Sequence, residues 1–492
     1  MAGQKPQAEA SGSAVPQSLA SSVGRARVSA PPPAPRRRSR WGIAIGALVT
    51  IVAAAGAWAG APLAARPWLG PPPDWHQGTP APEPALVLAS SSLEAPVPTS
   101  AGVSAAVSPL ATAAGLGGHT AISIVDASTG QSLFSSKDTA SVPASTAKIV
   151  TAATVLAARG PAYQITTKVF AGTKPGEVVL VGAGDPTLAA GPDGTYPGAA
   201  RLDDLATQVR TALGGVAPAR VVYDSSLFTG DVYGPGWDSD IPTGGYGAAV
   251  TALAVDGARV NSQSKNGAAQ RYSKPDLAAA QAFAKALGLS GADVAAGTAE
   301  QGARELGQVH SPPLARVVEL MLSESDNVIA EALARQVAIA RGQPVTFVGA
   351  AAAMKSVLGE LGLPTDGYDL ADGSGLSRDN RLTASLLTSI LSTAASQDNA
   401  RLHAIFSGLP VAGYSGTLDE RYLTTATGRS AAGNVRAKTG TLTGVNAIAG
   451  IVVDADGRLL AFAMIADATG DTTAAQQSLD RLVVAVAACG CR

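Results

Sequence analysis

From residue 41 to residue 65 the chain carries no charge, and the core of this stretch reads GIAIGALVTIVAAAGAWAG. About 20 consecutive apolar residues suffice for a helix to cross the hydrocarbon layer of a bilayer. The run is too long and its flank too basic for a buried Ala-rich helix of a soluble domain. Residues 1–40 hold Lys5, Arg25, Arg27, Arg36, Arg37, Arg38 and Arg40 against Glu9 alone, a net charge of +6 in a chain whose total is −1. Basic residues beside a span stay in the cytoplasm, so everything after residue 65 is expected outside. A cleaved signal peptide, with Ala57-Trp58-Ala59 before the cut, is the alternative, although a basic lead of this length is long for one. Either way the working part is extracytoplasmic.

That division orders the rest of the chain. Residues 1–40 read as a disordered basic cytoplasmic tail, 41–65 as a transmembrane helix, and 66–105 as a Pro/Ser/Ala-rich linker. Apolar residues make up 46% of the 492 and charged residues 15%, which excludes a collagen-like or wholly disordered protein. The charge balance disfavours a nucleic-acid partner, which would call for a basic excess. Two cysteines, Cys489 and Cys491, rule out a disulfide scaffold and a Cys-rich zinc site. They are free to oxidise outside the cell, but too near the end to staple a core. His76, His119, His310 and His403 are scattered, so no metal site is expected.

Globular signals begin near Gly118. TAISIVD at 120–126 and 131–135 read as two strands around a turn. SVPASTAKIVTAATVLAARG opens a helix with an apolar stripe at Ile149, Ala153, Leu156 and Ala157. VNAIAGIVV at 445–453 and the run 459–466 form a second strand pair, and 474–488 an amphipathic helix. Strands near both ends of this region, with helices between, predict an α/β sandwich closed by both ends of the chain.

Three short motifs carry the chemistry. In Ser145-Thr146-Ala147-Lys148, positions i and i+3 of a helical turn put a hydroxyl beside an amine. A serine hydroxyl needs a base to become a nucleophile, and a lysine serves only if burial or a nearby cation lowers its pKa. Ser325-Asp326-Asn327 falls between apolar helical segments, where a helix cap is the alternative reading. Lys438-Thr439-Gly440-Thr441 directly precedes the C-terminal strand pair, with Gly440 able to let a substrate backbone lie against a strand edge. A simple turn is the alternative. Second copies occur in Ser262-Gln263-Ser264-Lys265 and Ser264-Lys265-Asn266, where NSQSKNG reads as a solvated loop. Each motif is weak alone; the ordered set is the serine acyl-transfer set of penicillin-binding proteins and β-lactamases.

Over roughly 106–492 the sequence resembles the D-alanyl-D-alanine carboxypeptidase/endopeptidase family, the class C low-molecular-mass penicillin-binding proteins. GAGDPTL at 182–188, VHSPPL at 309–314, DGSGLSRDNRLT at 372–383 and LPVAGYSGTL at 409–418 carry the resemblance further. Ser145 and Ser325 stand 180 residues apart, much farther than in a class A β-lactamase. The resemblance therefore implies a penicillin-binding-protein/β-lactamase-like α/β (α+β) transpeptidase fold, an antiparallel sheet flanked by helices. Residues 106–167 and 309–492 form the peptidase domain, and 168–308 an inserted module of one or two small domains.

The same resemblance implies the site. Ser145 attacks the carbonyl between the two terminal D-alanines of a peptidoglycan stem peptide. Lys148, kept partly neutral by Lys438 and a dry site, takes its proton. Ser325 relays a proton to the leaving amine, and Asn327 contacts the substrate amide. Lys438, Thr439, Gly440 and Thr441 bind the terminal carboxylate, with the backbone N–H groups of Ser145 and Thr441 as oxyanion hole. No cofactor is required. β-Lactams are expected to acylate Ser145 and leave slowly. Asp372 and Arg378 are read as shaping the site wall. A β-lactamase-like hydrolase and a non-catalytic wall-binding protein remain as alternatives. No Gly-x-Ser-x-Gly elbow and no Glu-x-x-Leu-Asn motif is present.

Overall fold

The computed structural model describes residues 91–264, 268–289 and 293–492, all within one compact unit, Ala85–Arg492. Helix α1 is Ser100–Val107, followed by strands β1 (Thr120–Asp126) and β2 (Ser132–Ser136). A 3-10 turn, Ala144–Ala147, leads into α2 (Lys148–Arg159). Next come β3 (Thr166–Ala171), β4 (Glu177–Val181), α3 (Leu202–Ala212), β5 (Arg220–Asp224), α4 (Pro275–Ala286), β6 (Val294–Ala296) and β7 (Glu305–His310). Then follow α5 (Leu314–Ser323), α6 (Asn327–Ala340), α7 (Phe347–Glu360), α8 (Ala384–Ala395) and the short α9 (Ala404–Gly408) and α10 (Ala426–Arg429). Strands β8 (Val435–Leu442), β9 (Val445–Val453) and β10 (Leu459–Ala466) precede α11 (Thr472–Ala487).

Two sheets organise the chain. The first has the order β2-β1-β10-β9-β8, antiparallel throughout, so strands near both ends of the described chain lie side by side. Both its faces are covered. Ala121, Val125, Ala449, Ala461 and Ile465 face a core shared with α2, α5, α6, α7 and α8. Ile122, Ile124, Ile448, Phe462 and Met464 face a second core shared with α1 and α11. Burial on both sides explains why TAISIVD is buried at all seven positions instead of alternating. The second sheet has the order β6-β5-β4-β3-β7 and is mixed, with β4–β5 and β5–β6 parallel. It lies wholly between Thr166 and His310 and packs on α3 and α4 through Val169, Leu180, Leu205, Val221 and Phe283.

The third motif directly precedes the C-terminal strand pair and lies inside a strand of its own, β8, joined to β9 by the two-residue turn Thr443-Gly444. VRAKTGTL has little strand propensity of its own, and pairing with β9 overrides that. One expectation needs correction: the linker ends earlier than residue 105. Ser92 N donates to Gly457 O and Thr99 N to Cys491 O. Thr99 caps α1, whose Val103 and Val107, one turn apart, are fully buried. Cys489 and Cys491 are joined in a disulfide beside this contact.

Among the described residues no helix is long and apolar enough to cross a membrane. The tail expected at 1–40, the span at 41–65 and residues 66–90 of the expected linker lie outside the described residues.

Candidate active site

Ser145 is half-buried in the 3-10 turn, and Lys148 begins α2 one turn later with no exposed surface. Ala144, just before the serine, takes φ +46, a left-handed conformation that a non-glycine residue adopts only under constraint. One source of that constraint is Gly375 (φ +85), whose missing side chain leaves room for Ala144 O. Gly440 on β8 is another. A Cβ there would stand 2.9 Å from Pro143 O and 3.0 Å from Ser145 N. The glycine thus serves the approach of the nucleophile turn, not only that of a substrate.

Lys148 Nζ donates to three oxygens: Ser145 Oγ at 3.0 Å, Asn327 Oδ1 at 2.6 Å and Ser374 O at 2.7 Å. The Asn327 amide is oriented from its other side, where Nδ2 donates to Tyr246 O at 2.8 Å. A neutral amine has two N–H bonds and one lone pair. The amide and peptide oxygens can only accept, so they take the two N–H groups. The lone pair is left for Ser145, the only partner that can donate a proton.

Burial lowers the pKa of Lys148 to about 8, against the pull of the Asp372, Glu331 and Asp326 carboxylates. Lys438 is likewise fully buried, donating to Thr439 O at 2.8 Å. Burial first, and the Lys148 charge second, push its pKa well below the ordinary value. The dry site of the expectation is thus what lowers Lys148, and each of the two buried amines disfavours a positive charge on the other.

The second motif splits into separate tasks. Asp326 caps α6, its Oδ1 accepting from Val328 N at 2.9 Å and Ile329 N at 3.1 Å. Its Oδ2 accepts from Tyr196 Oη at 2.7 Å and from Arg259 Nη2 at 3.0 Å. Burial pushes its carboxyl up, but Arg259 and Arg271 outweigh this and hold it at about 2. Asn327 is the first residue of α6, aimed at Lys148, and Ser325 sits before the cap with φ +55. Within one triplet Asp326 is thus the helix cap, whereas Asn327 meets Lys148.

Beneath Lys148 lies the DGSGL loop. Gly373 O accepts from Thr151 at 2.6 Å and Ser374 O from Lys148, three residues apart on α2. Glu331 holds this loop by accepting from Gly373 N and from Ser374 N at 2.8 Å. Burial, then the Asp372 charge, raises the Glu331 pKa to about 7. Asp372, fully buried, accepts from Gly375 N, Ser377 N, Asn380 Nδ2 and Trp237 Nε1, all at 2.7–2.8 Å. Arg378 forks onto Asp238. Asp372 thus organises the DGSGL loop, and Arg378 holds Asp238, which lines the cleft.

A cleft of about 810 Å³ runs past these groups, lined by Ser145, Ser325, Asn327, Thr439 and Thr441 together. β8 is the edge strand of its sheet, and its pair Leu442–Val445 flanks the two-residue turn. Antiparallel alternation then turns the N–H groups of Ala437, Thr439 and Thr441 away from β9. Ala437 N is taken by Pro410 O at 2.9 Å, which leaves Thr439 and Thr441 facing the cleft. Thr439 Oγ1 also meets Thr417 Oγ1 at 2.7 Å, from the LPVAGYSGTL segment. All three motifs thus converge, whereas in the second copies the Ser262 hydroxyl donates to Asp193 O and its carbonyl accepts from Thr195 Oγ1, and Lys265 and Asn266 lie outside the described residues. Among the described residues no His/Cys/Asp/Glu group is arranged to hold a metal. Tyr196, Trp237, Tyr246, Arg259 and Glu331 belong to no quoted motif, and Ser374 lies in the DGSGLSRDNRLT run without being singled out there. For Glu331 the available signal is an acidic residue one turn after Asn327.

The family model of D-Ala-D-Ala carboxypeptidase 3 (S13) matches residues 103–270 and 253–488. A carboxypeptidase of Mycobacterium tuberculosis is 43% identical over 404 residues, 81% of this chain and 86% of its own. Carboxypeptidase DacB of Mycolicibacterium smegmatis is 40% identical over 473 residues, 92% of this chain and 99% of its own. In fold, the chain is similar to penicillin binding protein 4 (dacB) of Haemophilus influenzae, with a TM-score of 0.63 and 23% identity over 78% of this chain and 97% of the other. With nearly the whole described region matched and both relatives aligned along most of their length, the chain belongs to the D-Ala-D-Ala carboxypeptidase 3 (S13) family.

Proposed function

We propose that the chain hydrolyses the terminal D-Ala-D-Ala bond of peptidoglycan stem peptides through an acyl-enzyme on Ser145. The observation that carries this reading is the arrangement around Lys148 Nζ: two oxygens that can only accept, and one serine hydroxyl at 3.0 Å. The amine takes the Ser145 proton as Oγ bonds to the substrate carbonyl carbon. Backbone N–H groups of Ser145 and Thr441 receive the oxyanion, each worth about 3–4 kcal/mol. Ser325 passes a proton to the leaving amine, D-alanine departs, and water hydrolyses the ester. Lys438, Thr439 and Thr441 hold the terminal carboxylate, and Asn327 the substrate amide. The same attack on a D-alanyl–diaminopimelyl bond would open cross-links. β-Lactams place their strained amide carbonyl at the same point and acylate Ser145.

The uncharged run at 41–65 and its +6 flank support a single-pass anchor in the cytoplasmic membrane, with the catalytic region outside. The separate sheet formed between Thr166 and His310 supports reading 168–308 as an inserted module.

The test is direct. The purified full chain is incubated with labelled penicillin and digested, and the adduct is mapped by mass spectrometry; D-alanine release from a pentapeptide is measured in parallel. A slowly released adduct on Ser145 with D-alanine release is the expected result. Rapid nitrocefin turnover without D-alanine release would mean a β-lactamase, and neither reaction would mean a binding protein.

A pH dependence follows. With a pKa of about 8, roughly a tenth of Lys148 is neutral at pH 7. Acylation rates should climb close to tenfold per unit from pH 6 to 7 and level off above about pH 8–9. A plateau already reached at pH 6 would mean that the base titrates well below pH 8, against the pKa assigned to Lys148.

A further inference from the structure

The segment between the first two motifs reaches into the catalytic centre at three points. Tyr196 and Arg259 both bind Asp326 Oδ2, and Tyr246 O holds the Asn327 amide. The Arg259–Asp326 pair is almost fully buried, with side chains 3% and 2% exposed. Arg259 Nη1 also donates to Tyr196 Oη at 2.6 Å, so the three side chains close a ring.

The backbone delivering Arg259 is unusual. Asp256, Gly257 and Ala258 take φ +54, +60 and +62, three left-handed residues in a row, two of them not glycine. Such conformations persist only where the surroundings enforce them. Here Thr195 N donates to Asp256 Oδ1 at 2.8 Å, Asp256 N to Leu188 O at 2.7 Å, and Arg271 Nη1 to Gly257 O at 2.6 Å. A Cβ at Gly257 would fall against Tyr196 Oη and Arg259 Nη1. The strained turn therefore has one conspicuous product, a guanidinium fixed on the carboxylate that caps the helix bearing Asn327.

We propose that Arg259, braced by Tyr196, is a positioning residue for acylation: it sets Asp326 and through it the Asn327 amide that orients Lys148. The segment between the motifs then completes the active site instead of merely decorating it. This rests on the reading of Ser145 and Lys148 as nucleophile and base. The groups facing Lys148 are the carboxylates of Asp326, Glu331 and Asp372 and the amine of Lys438. Removing the Arg259 cation leaves Asp326 ionised, since its two cap N–H groups, Tyr196 and Arg271 remain. Lys148 then sees more net negative charge and holds its proton to higher pH.

The test is the second-order rate of fluorescent-penicillin acylation of the full chain, measured from pH 5.5 to 9.5. Wild type that is not acylated on Ser145 would defeat the underlying reading, not this inference. With wild type acylated, Arg259→Met should be 10–100-fold slower with its acid limb moved to higher pH. Arg259→Lys should recover part of both, and Asp326→Asn, which keeps a capping oxygen, should move the limb to lower pH. Tyr196→Phe removes one hydrogen bond and should slow acylation about 3–10-fold, which keeps the test open if Arg259→Met does not fold. A purely structural role would lower the melting temperature alone. Arg259→Lys and Tyr196→Phe both within twofold of wild type, with unmoved limbs, would overturn the proposal.

Discussion

Ser145→Ala is expected to abolish D-alanine release and covalent penicillin labelling together, with a loss of about 10⁴–10⁶-fold. The chemistry has no second route, because the ester must form on an oxygen that a base can deprotonate. Among the described residues Lys148 is the only amine or imidazole hydrogen-bonded to a serine hydroxyl at the junction of the three motifs. The fold should be nearly indifferent. Ser145 Oγ accepts one hydrogen bond, the turn is closed by Thr146 N on Pro143 O, and Ser145 is only half-buried. Losing one such bond changes stability by about 1 kcal/mol. The informative comparison is therefore activity against melting temperature, and penicillin should still bind reversibly. Ser325 lies in the same cleft. Labelling of the variant within 100-fold of wild type, or an adduct mapped to Ser325, would reassign the nucleophile.

The sequence showed the site as three words and hid what makes them work. Ser-x-x-Lys was legible because its geometry is local: one helical turn fixes the distance between two named side chains. The depressed pKa of Lys148 was expected only through the family resemblance, because it depends on complete burial that outweighs the pull of Asp326, Glu331 and Asp372, residues brought together by α6 and a loop. Lys438 shows the same limit. Nothing in VRAKTGTL marks it as a buried lysine, and only its setting in the folded chain makes it one. The strands of the first sheet were readable because apolar runs of seven to nine residues with clear turns have few other homes. The second sheet gave less, since its short strands pair partly in parallel across long crossovers. Arg259 was invisible for another reason: its role comes from a strained turn and a partner 67 positions away, and neither leaves a periodic trace.

Lys148→Met should match Ser145→Ala in activity, with acylation down about 10⁴–10⁶-fold and no recovery at high pH. Alkaline buffer cannot replace the missing lone pair, because the serine hydroxyl itself ionises far above the range in which the protein stays folded. Stability tells a second story, with a sign that can be worked out. Burial gives Lys148 a folded-state pKa of about 8, below the ordinary 10.5 of the unfolded chain. Between those values the unfolded chain binds more protons than the native one, so stability rises with pH through this window. Below pH 8 the native protein holds a buried cation, at a cost. Lys438 is shifted in the same direction, and part of its shift comes from the Lys148 charge. Replacing Lys148 removes its own share of the rise and lets Lys438 regain some basicity, so the gain in melting temperature from pH 7 to pH 10 should shrink. Against this, Asn327 Oδ1 and Ser374 O lose their donor, at about 1–3 kcal/mol for each buried acceptor left unpaired. Melts of both proteins across that range separate the contributions: the orphaned acceptors lower the variant equally at every pH, whereas the buried charge changes the slope. An identical slope in both proteins would mean that Lys148 does not titrate in this window and that its folded-state pKa does not lie near 8.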